Sequence, residues 1–171
     1  MNSSSSISID DFKQGMRVLT AAVNIITTIH DGIPAGLTAT AACSVSAEPP
    51  QLLVCVHREA GGHDSITNSK KFALNVMAKD QENIARRFAG MDGTEHHDRF
   101  KLGVWSELTT GAPCLNDALV NFDCEVMAQI PAGTHSIFIG HIIGSRTRKN
   151  KGEPLLYSFG QFTGLPHENT K

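Results

Sequence analysis

The stretch "VNFDCEVMAQI", residues 120–130, alternates without a break. Val120, Phe122, Cys124, Val126, Ala128 and Ile130 fall on one side of an extended chain, and Asn121, Asp123, Glu125, Met127 and Gln129 on the other. Successive side chains of a strand point to opposite faces, so the pattern predicts a strand with one face on a core and one in water or at a polar site. "SIFIGHIIGS", 136–145, reads the same way. "VNIITTIH" (23–30), "QLLVCVH" (51–57), "KFALNVMA" (71–78) and "PLLYSFGQF" (154–162) are β-rich apolar runs of strand length. Asp31-Gly32 after the first of these marks a turn, from which residues 36–46 return as a second strand.

Helical spacing is confined to short pieces. Phe12, Met16, Leu19 and Val23 predict a helix over 10–22 with Asp10 as its N-cap. "DQENIARRFAG" predicts another over 80–90, capped by Asp80, with Ile84 and Phe88 on one face and Gly90 as the stop. The loop "GGHDSITNS" leads into a third, shorter helix, and 91–113 read as irregular apart from Val104-Trp105. Six or seven strands with two or three short helices define a mostly β fold, an antiparallel sheet that closes or nearly closes. The absence of a regular βαβ alternation argues against a dinucleotide-binding doubly wound fold.

The length of 171 residues suits one domain with a full core. The expected division is a lead-in at 1–9, a domain at 10–165 and a polar tail at 166–171. A formal charge of −2 without a long basic run argues against nucleic acid as a partner. No apolar run reaches membrane-spanning length, and the start "MNSSSSISIDD" lacks the basic and apolar regions of a signal peptide. Cys43, Cys55, Cys114 and Cys124 form no CxxC pair, and three of them sit in apolar strand contexts, so buried free thiols in a cytoplasmic protein are expected.

No glycine-rich phosphate loop, HExxH or GxSxG is present. His96-His97-Asp98 reads as a solvated loop, so no metal site is expected. What remains is "GLTATAACSVSAEPP", 36–50: a strand of small residues and hydroxyls that stops at Pro49-Pro50. Close packing of another backbone would explain it. So would a flat ligand, with small side chains admitting a ring system and hydroxyls meeting its polar edge.

"AAVNIITT", "GLTATAACSVSAEPPQLLVCV", "FALNVMA", "RFAG", "RF…W", "LVNFDCEV" and "GTHSIFIGHI" occur in an order that resembles the short-chain flavin reductases, above all the reductase component of 4-hydroxyphenylacetate 3-monooxygenase. The likeness runs over residues 12–162. It implies an FMN-binding split β-barrel of antiparallel Greek-key type, a homodimer, and reduction of FMN or FAD by NADH, with NADPH possible, for a partner oxygenase. It also implies residue roles. Thr38, Ala39, Thr40 and Ala41 border the isoalloxazine; Ser44, Val45 and Ser46 approach the ribityl phosphate; Phe88, Ala89 and Gly90 of "RFAG" lie near the flavin. His135 lies near the nicotinamide, in a turn where Thr134 replaces the family's Asp, and its bland alternative is a turn histidine bonded to backbone. No acid or base is essential to hydride transfer between two cofactors. A 2′-phosphate would need a basic group, for which Arg58, Arg146 and Arg148 are candidates. The rival readings are a flavin carrier without turnover and a flavin-mediated ferric reductase.

Overall fold

A computed structural model describes residues 7–150 and 152–165. The expected tail at 166–171 and most of the lead-in lie outside them. The chain opens with α1 (Ile9–Val18), capped by Ser8, whose Oγ accepts the Asp11 N–H at 3.0 Å, rather than by Asp10. This helix stops earlier than its spacing predicts, because β1 (Ala21–Ala22) is drawn into pairing with residues 156–157 near the other end of the chain. β2 (Asn24–His30) and β3 (Ile33–Ala39) form the expected hairpin. Asp31 and Gly32 both take positive φ, as a tight two-residue hairpin turn requires.

The stretch 36–46 is not one strand. β3 ends at Ala39 and β4 (Ala42–Ala47) begins after two intervening residues, pairing with β5 (Pro50–His57). Then come α2 (His63–Ser69), β6 (Lys71–Val76) and a 3₁₀ turn, Lys79–Gln81, leading into α3 (Glu82–Phe88). The expected cap Asp80 instead faces Arg148, and the Gln81 side chain accepts the Ala78 N–H at 3.0 Å. A second 3₁₀ segment spans His96–Lys101, and β7 (Trp105–Ser106) pairs with β8 (Cys114–Leu115). β9 (Val120–Ala132) and β10 (His135–Thr147) make a long hairpin. The final apolar run splits into β11 (Leu156–Ser158) and β12 (Gln161–Thr163).

The main sheet is antiparallel, in the order β3-β2-β6-β9-β10-β5-β4. Its two edge strands are neighbours in sequence. Six inter-strand spacings would set flat edges about 29 Å apart, yet the three peptide steps from Ala39 to Ala42 reach at most about 11 Å. The sheet must therefore curl until its edges nearly meet, and residues 40–41 bridge the seam. There the Cys55 N–H donates to the Ala41 carbonyl at 2.9 Å.

Curling gives the sheet an inside and an outside, and both are covered. Ile26, Leu52, Val54, Val56, Phe72, Leu74, Cys124 and Phe138 pack in one cluster, and Val23, Ile25, Met77, Ile84, Phe88 and Leu115 in another. This is why β2 is buried along most of its length rather than on alternate residues. It also corrects the reading of 120–130. Asn121 and Asp123 are fully buried, because residues 105–115 lie across that face. Asn121 Nδ2 donates to Asn75 Oδ1 and to the Leu115 carbonyl, while Asp123 Oδ2 accepts the Thr109 and Thr110 N–H groups, each at 2.7 Å. A buried carboxylate satisfied this way is a clasp for the covering segment. Only Glu125 and Met127, beyond the clasp, are exposed as the alternation predicts.

The four cysteines are free, with Cys114 and Cys124 buried, Cys55 half-buried and Cys43 exposed. The expectation of buried thiols fails at Cys43 because β4 is an uncovered edge strand.

Candidate functional site

The seam opens into a cavity of about 560 Å³. Its wall along the seam is Leu37, Thr38, Ala39, Thr40 and Ala41, and its far side carries His57 from the end of β5, His135 and Ile137 from β10 and Ala132 from the end of β9. Val23, Cys55, Ala89, Met91, Tyr157 and Phe162 complete the lining. The volume lies within the usual range for small-molecule sites, and so does the character: mostly apolar, with a few polar groups. The small wall residues leave room for a flat ring against the strand.

Thr38 is less free than its position suggests. Its Oγ1 donates to the Ala85 carbonyl of α3 at 2.7 Å, so the hydroxyl ties β3 to the helix. The Thr40 hydroxyl makes no such tie and is exposed. Phe88 does not line the cavity. It is 1% exposed, stacked edge-on against Phe100 at 5.0 Å and tilted against Trp105 at 5.3 Å. Of "RFAG" only Ala89 reaches the lining, while Gly90, at φ +73°, turns the chain out of α3. Arg99 braces this corner: buried, it donates from Nη1 to the carbonyls of Gly36 and Phe88 at 3.3 and 3.1 Å. Burial draws its pKa below the ordinary arginine value.

Ser44 and Ser46 are not on this cavity. They line a smaller one of about 270 Å³ with Asn24, Gln51, Leu74 and Phe122. Ser46 Oγ is occupied by the Glu48 N–H at 3.1 Å, and Val45 is exposed. The structure thus divides the sequence-predicted strand between two cavities, with Thr38–Ala41, Ala89 and His135 gathered on the larger.

Opposite the seam wall stand two imidazoles. His57 and His135 are direct partners across β5 and β10, and their rings meet edge to face with centroids 4.9 Å apart. His57 Nδ1 accepts the Glu59 N–H at 3.1 Å, which puts the proton of the neutral ring on Nε2. His135 Nδ1 is 2.9 Å from Thr134 Oγ1. His57, Tyr157 and Phe162 escape the sequence reading. The last two lie near the chain's end as an aromatic pair at 5.2 Å, with the Arg86 guanidinium over the Phe162 ring at 4.8 Å. Two other candidates are committed elsewhere: Arg146 donates to Asn121, Ser106 and the Cys114 carbonyl, and Arg148 faces Asp80. Among the described residues no group of His, Cys, Asp and Glu is placed to hold a metal, and no helix is long and apolar enough to cross a membrane.

The slot at the seam of this curled antiparallel sheet is apolar over most of its lining, with two imidazoles on its far side. The chain belongs to the flavin reductase like domain family, whose model matches residues 16–166. It is 40% identical over 147 residues to the FMN reductase (NADH) RutF 2 of Rhizobium rhizogenes, covering 86% of this chain and 83% of the relative. Among solved structures it is similar to BorF, the flavin reductase component of a bacterial two-component tryptophan halogenase, with a TM-score of 0.84 and 31% identity, covering 94% of this chain and 100% of the other. The Streptomyces globisporus NADH:FAD oxidoreductase SgcE6, solved with NAD and FAD fragments, superposes with a TM-score of 0.85 at 27% identity, covering 98% of this chain and 100% of the other.

Proposed function

We propose that the protein reduces FMN or FAD at the expense of NADH and passes the reduced flavin to a separate oxygenase, of a kind that hydroxylates aromatic substrates. The observation that carries this is the seam wall, where Ala39, Thr40 and Ala41 present small side chains to a cavity wide enough for a tricyclic ring. When both are bound, the nicotinamide supplies a hydride from C4 and the flavin accepts it at N5. The chain's own share is to hold the two rings in contact and keep water out. Thr38–Ala41 bound the flavin ring, and His135 faces the nicotinamide across the slot. Leu37, Ile137, Tyr157 and Phe162 supply the apolar enclosure. Ser44 and Ser46 follow on β4 and line the separate, smaller cavity, so in this reading the phosphate end must leave the slot along β4 to meet their hydroxyls. Hydride transfer between the two rings calls for no acid or base and depends above all on correct ring spacing.

The working unit in this reading is a homodimer. α1 buries none of its residues, leaving Ile9, Phe12, Met16 and Val18 exposed, and a two-fold contact is the commonest way to cover such a face. The deciding experiment crosses NADH and NADPH with FMN, FAD and riboflavin in a steady-state assay. Flavin-dependent NADH oxidation is expected. Flavin binding without turnover would leave a carrier and end the reductase reading.

A further inference from the structure

We propose that Arg99 is the counter-charge to the reduced flavin, a buried cation one peptide behind the slot wall that raises the ring's reduction potential. The inference rests on the reading that a flavin occupies the slot, and deepens it. The guanidinium is fixed in place. Nη1 donates to the Gly36 and Phe88 carbonyls at 3.3 and 3.1 Å, and Nη2 lies 3.3 Å from where a Cβ at Gly90 would stand. Those carbonyls belong to the peptides that lead into Leu37 and Ala89, both of which line the slot. Across a trans peptide the oxygen is about 2.8 Å from the next Cα, so Nη1 lies within about 6 Å of the Leu37 and Ala89 Cα atoms.

The charges around this corner are otherwise paired: Arg86 with Glu82, Arg87 with Asp92 and Lys101 with Asp98. Arg99 forms no ion pair among the described residues, is 7% exposed, and leaves its Nε without a hydrogen-bond partner. Bracing the corner does not need the charge, because a neutral amide can donate to the same carbonyls, and burying an ion that nothing neutralises is unfavourable. A ligand that gains negative charge in the reaction gives the cation a use. The oxidised ring is neutral and accepting a hydride leaves it one negative charge richer, so a fixed positive charge favours the reduced form. At about 10 Å, one van der Waals contact beyond those Cα atoms, and an effective dielectric constant of about 20, one unit charge shifts such an equilibrium roughly tenfold. Burial draws the Arg99 pKa down and the Asp92 carboxylate draws it back up, which makes Asp92 the group that partly offsets this field.

The test reads the potential of FMN bound to an excess of the full-length protein, by slow anaerobic reduction beside a reference dye. Affinities for oxidised and reduced FMN are measured separately. Arg99→Gln should lose about tenfold in affinity for reduced FMN relative to oxidised FMN, which lowers the two-electron potential by about 30 mV. Arg99→Lys should stay near the wild-type potential. Asp92→Asn removes the offsetting carboxylate and leaves Arg87 unpaired as well, so its potential should rise. A brace alone would weaken both forms of FMN equally and leave the potential unmoved. Potentials unchanged in Arg99→Gln and Asp92→Asn overturn the proposal and leave the reductase reading standing. If Arg99→Gln does not fold, Asp92→Asn decides, and a potential that stays or falls overturns the proposal. A wild type that binds FMN but oxidises no NADH overturns the reductase reading alone, and one that binds no flavin overturns both.

Discussion

Replacing Gly36 by alanine should destabilise the protein although the backbone there is ordinary extended strand. On conformational grounds alone the change would stabilise by about 0.4–1 kcal/mol, through a less flexible unfolded chain. The neighbours reverse the sign. A methyl group at Gly36 would lie 2.8 Å from Phe88 Cε1, 3.0 Å from Cδ1 and 3.1 Å from the Ile26 carbonyl oxygen. The ring cannot swing away, because Phe88 is enclosed by Phe100 and Trp105, and the carbonyl belongs to the adjacent strand. Overpacking of this kind costs about 1–3 kcal/mol. At about 2–4 °C per kcal/mol for a chain of this size, the melting temperature should fall by roughly 2–12 °C. Calorimetry measures it. Combining Gly36→Ala with Phe88→Leu should cost less than the two changes summed, by about 0.5 kcal/mol or more, since the smaller side chain relieves the contact. A single variant melting with the wild type, or strict additivity in the pair, would refute the steric argument.

Thr38→Val keeps the shape of the side chain but removes its bond to the Ala85 carbonyl, and should cost about 1 kcal/mol in urea unfolding while changing flavin affinity little; a flavin titration showing the larger loss would return Thr38 to the ligand. Thiol labelling at pH 8 should modify Cys43 first and Cys55 more slowly, since burial and then the nearby Cys43 raise the Cys55 pKa. Burial pushes Cys114 and Cys124 up to about 11 and about 12, so both should react only on unfolding, and four fast thiols in the native protein would contradict this. Asp92 is held down to about 2 from an ordinary 3.8, first by its hydrogen bond from Arg87. A lowered carboxyl pKa gives stability that is full above the unfolded value and lost as pH falls through the folded one. Asp92→Asn should therefore flatten the acid limb of a stability curve between those two values, and an unchanged limb would show the pair to be inert.

The strands were legible where one residue type recurs at a fixed spacing. Residues 120–130 and 136–145 declare themselves by alternation, and Asp31-Gly32 by the positive φ its turn needs. What sequence could not supply was the second side of each face. Asn121 and Asp123 look solvent-facing until the segment around Thr109 and Thr110 is laid over them, a contact no local pattern encodes. The break at Thr40-Ala41 is invisible for the same reason, because nothing in "TATAAC" marks a change of pairing partner; only the order of the whole sheet does. Phe88 fell within a motif that touches the cavity, yet its apolar ring went to the core and left Ala89 to form the wall. His57 carried a usable signal, as a polar residue closing an otherwise apolar strand. Tyr157 and Phe162 gave none, because they reach the slot only through pairing of β11 with β1 at the opposite end of the chain.

The two-residue seam also sets the order in which the chain can be finished. The hairpins on either side of residues 40–41 need only neighbouring sequence, and both have been synthesised by His57. Yet in the sheet they are held apart by strands running from Lys71 to Thr147. At translation rates of about 5–20 residues per second, the gap between His57 and Thr147 lasts on the order of 5–20 s. For that time a nascent chain carries two completed hairpins with unpaired edges and no means of closing. Assembly cannot proceed steadily from the N-terminus; it must wait for the β9–β10 hairpin, which supplies the strands that part the first two hairpins and draw their far edges together.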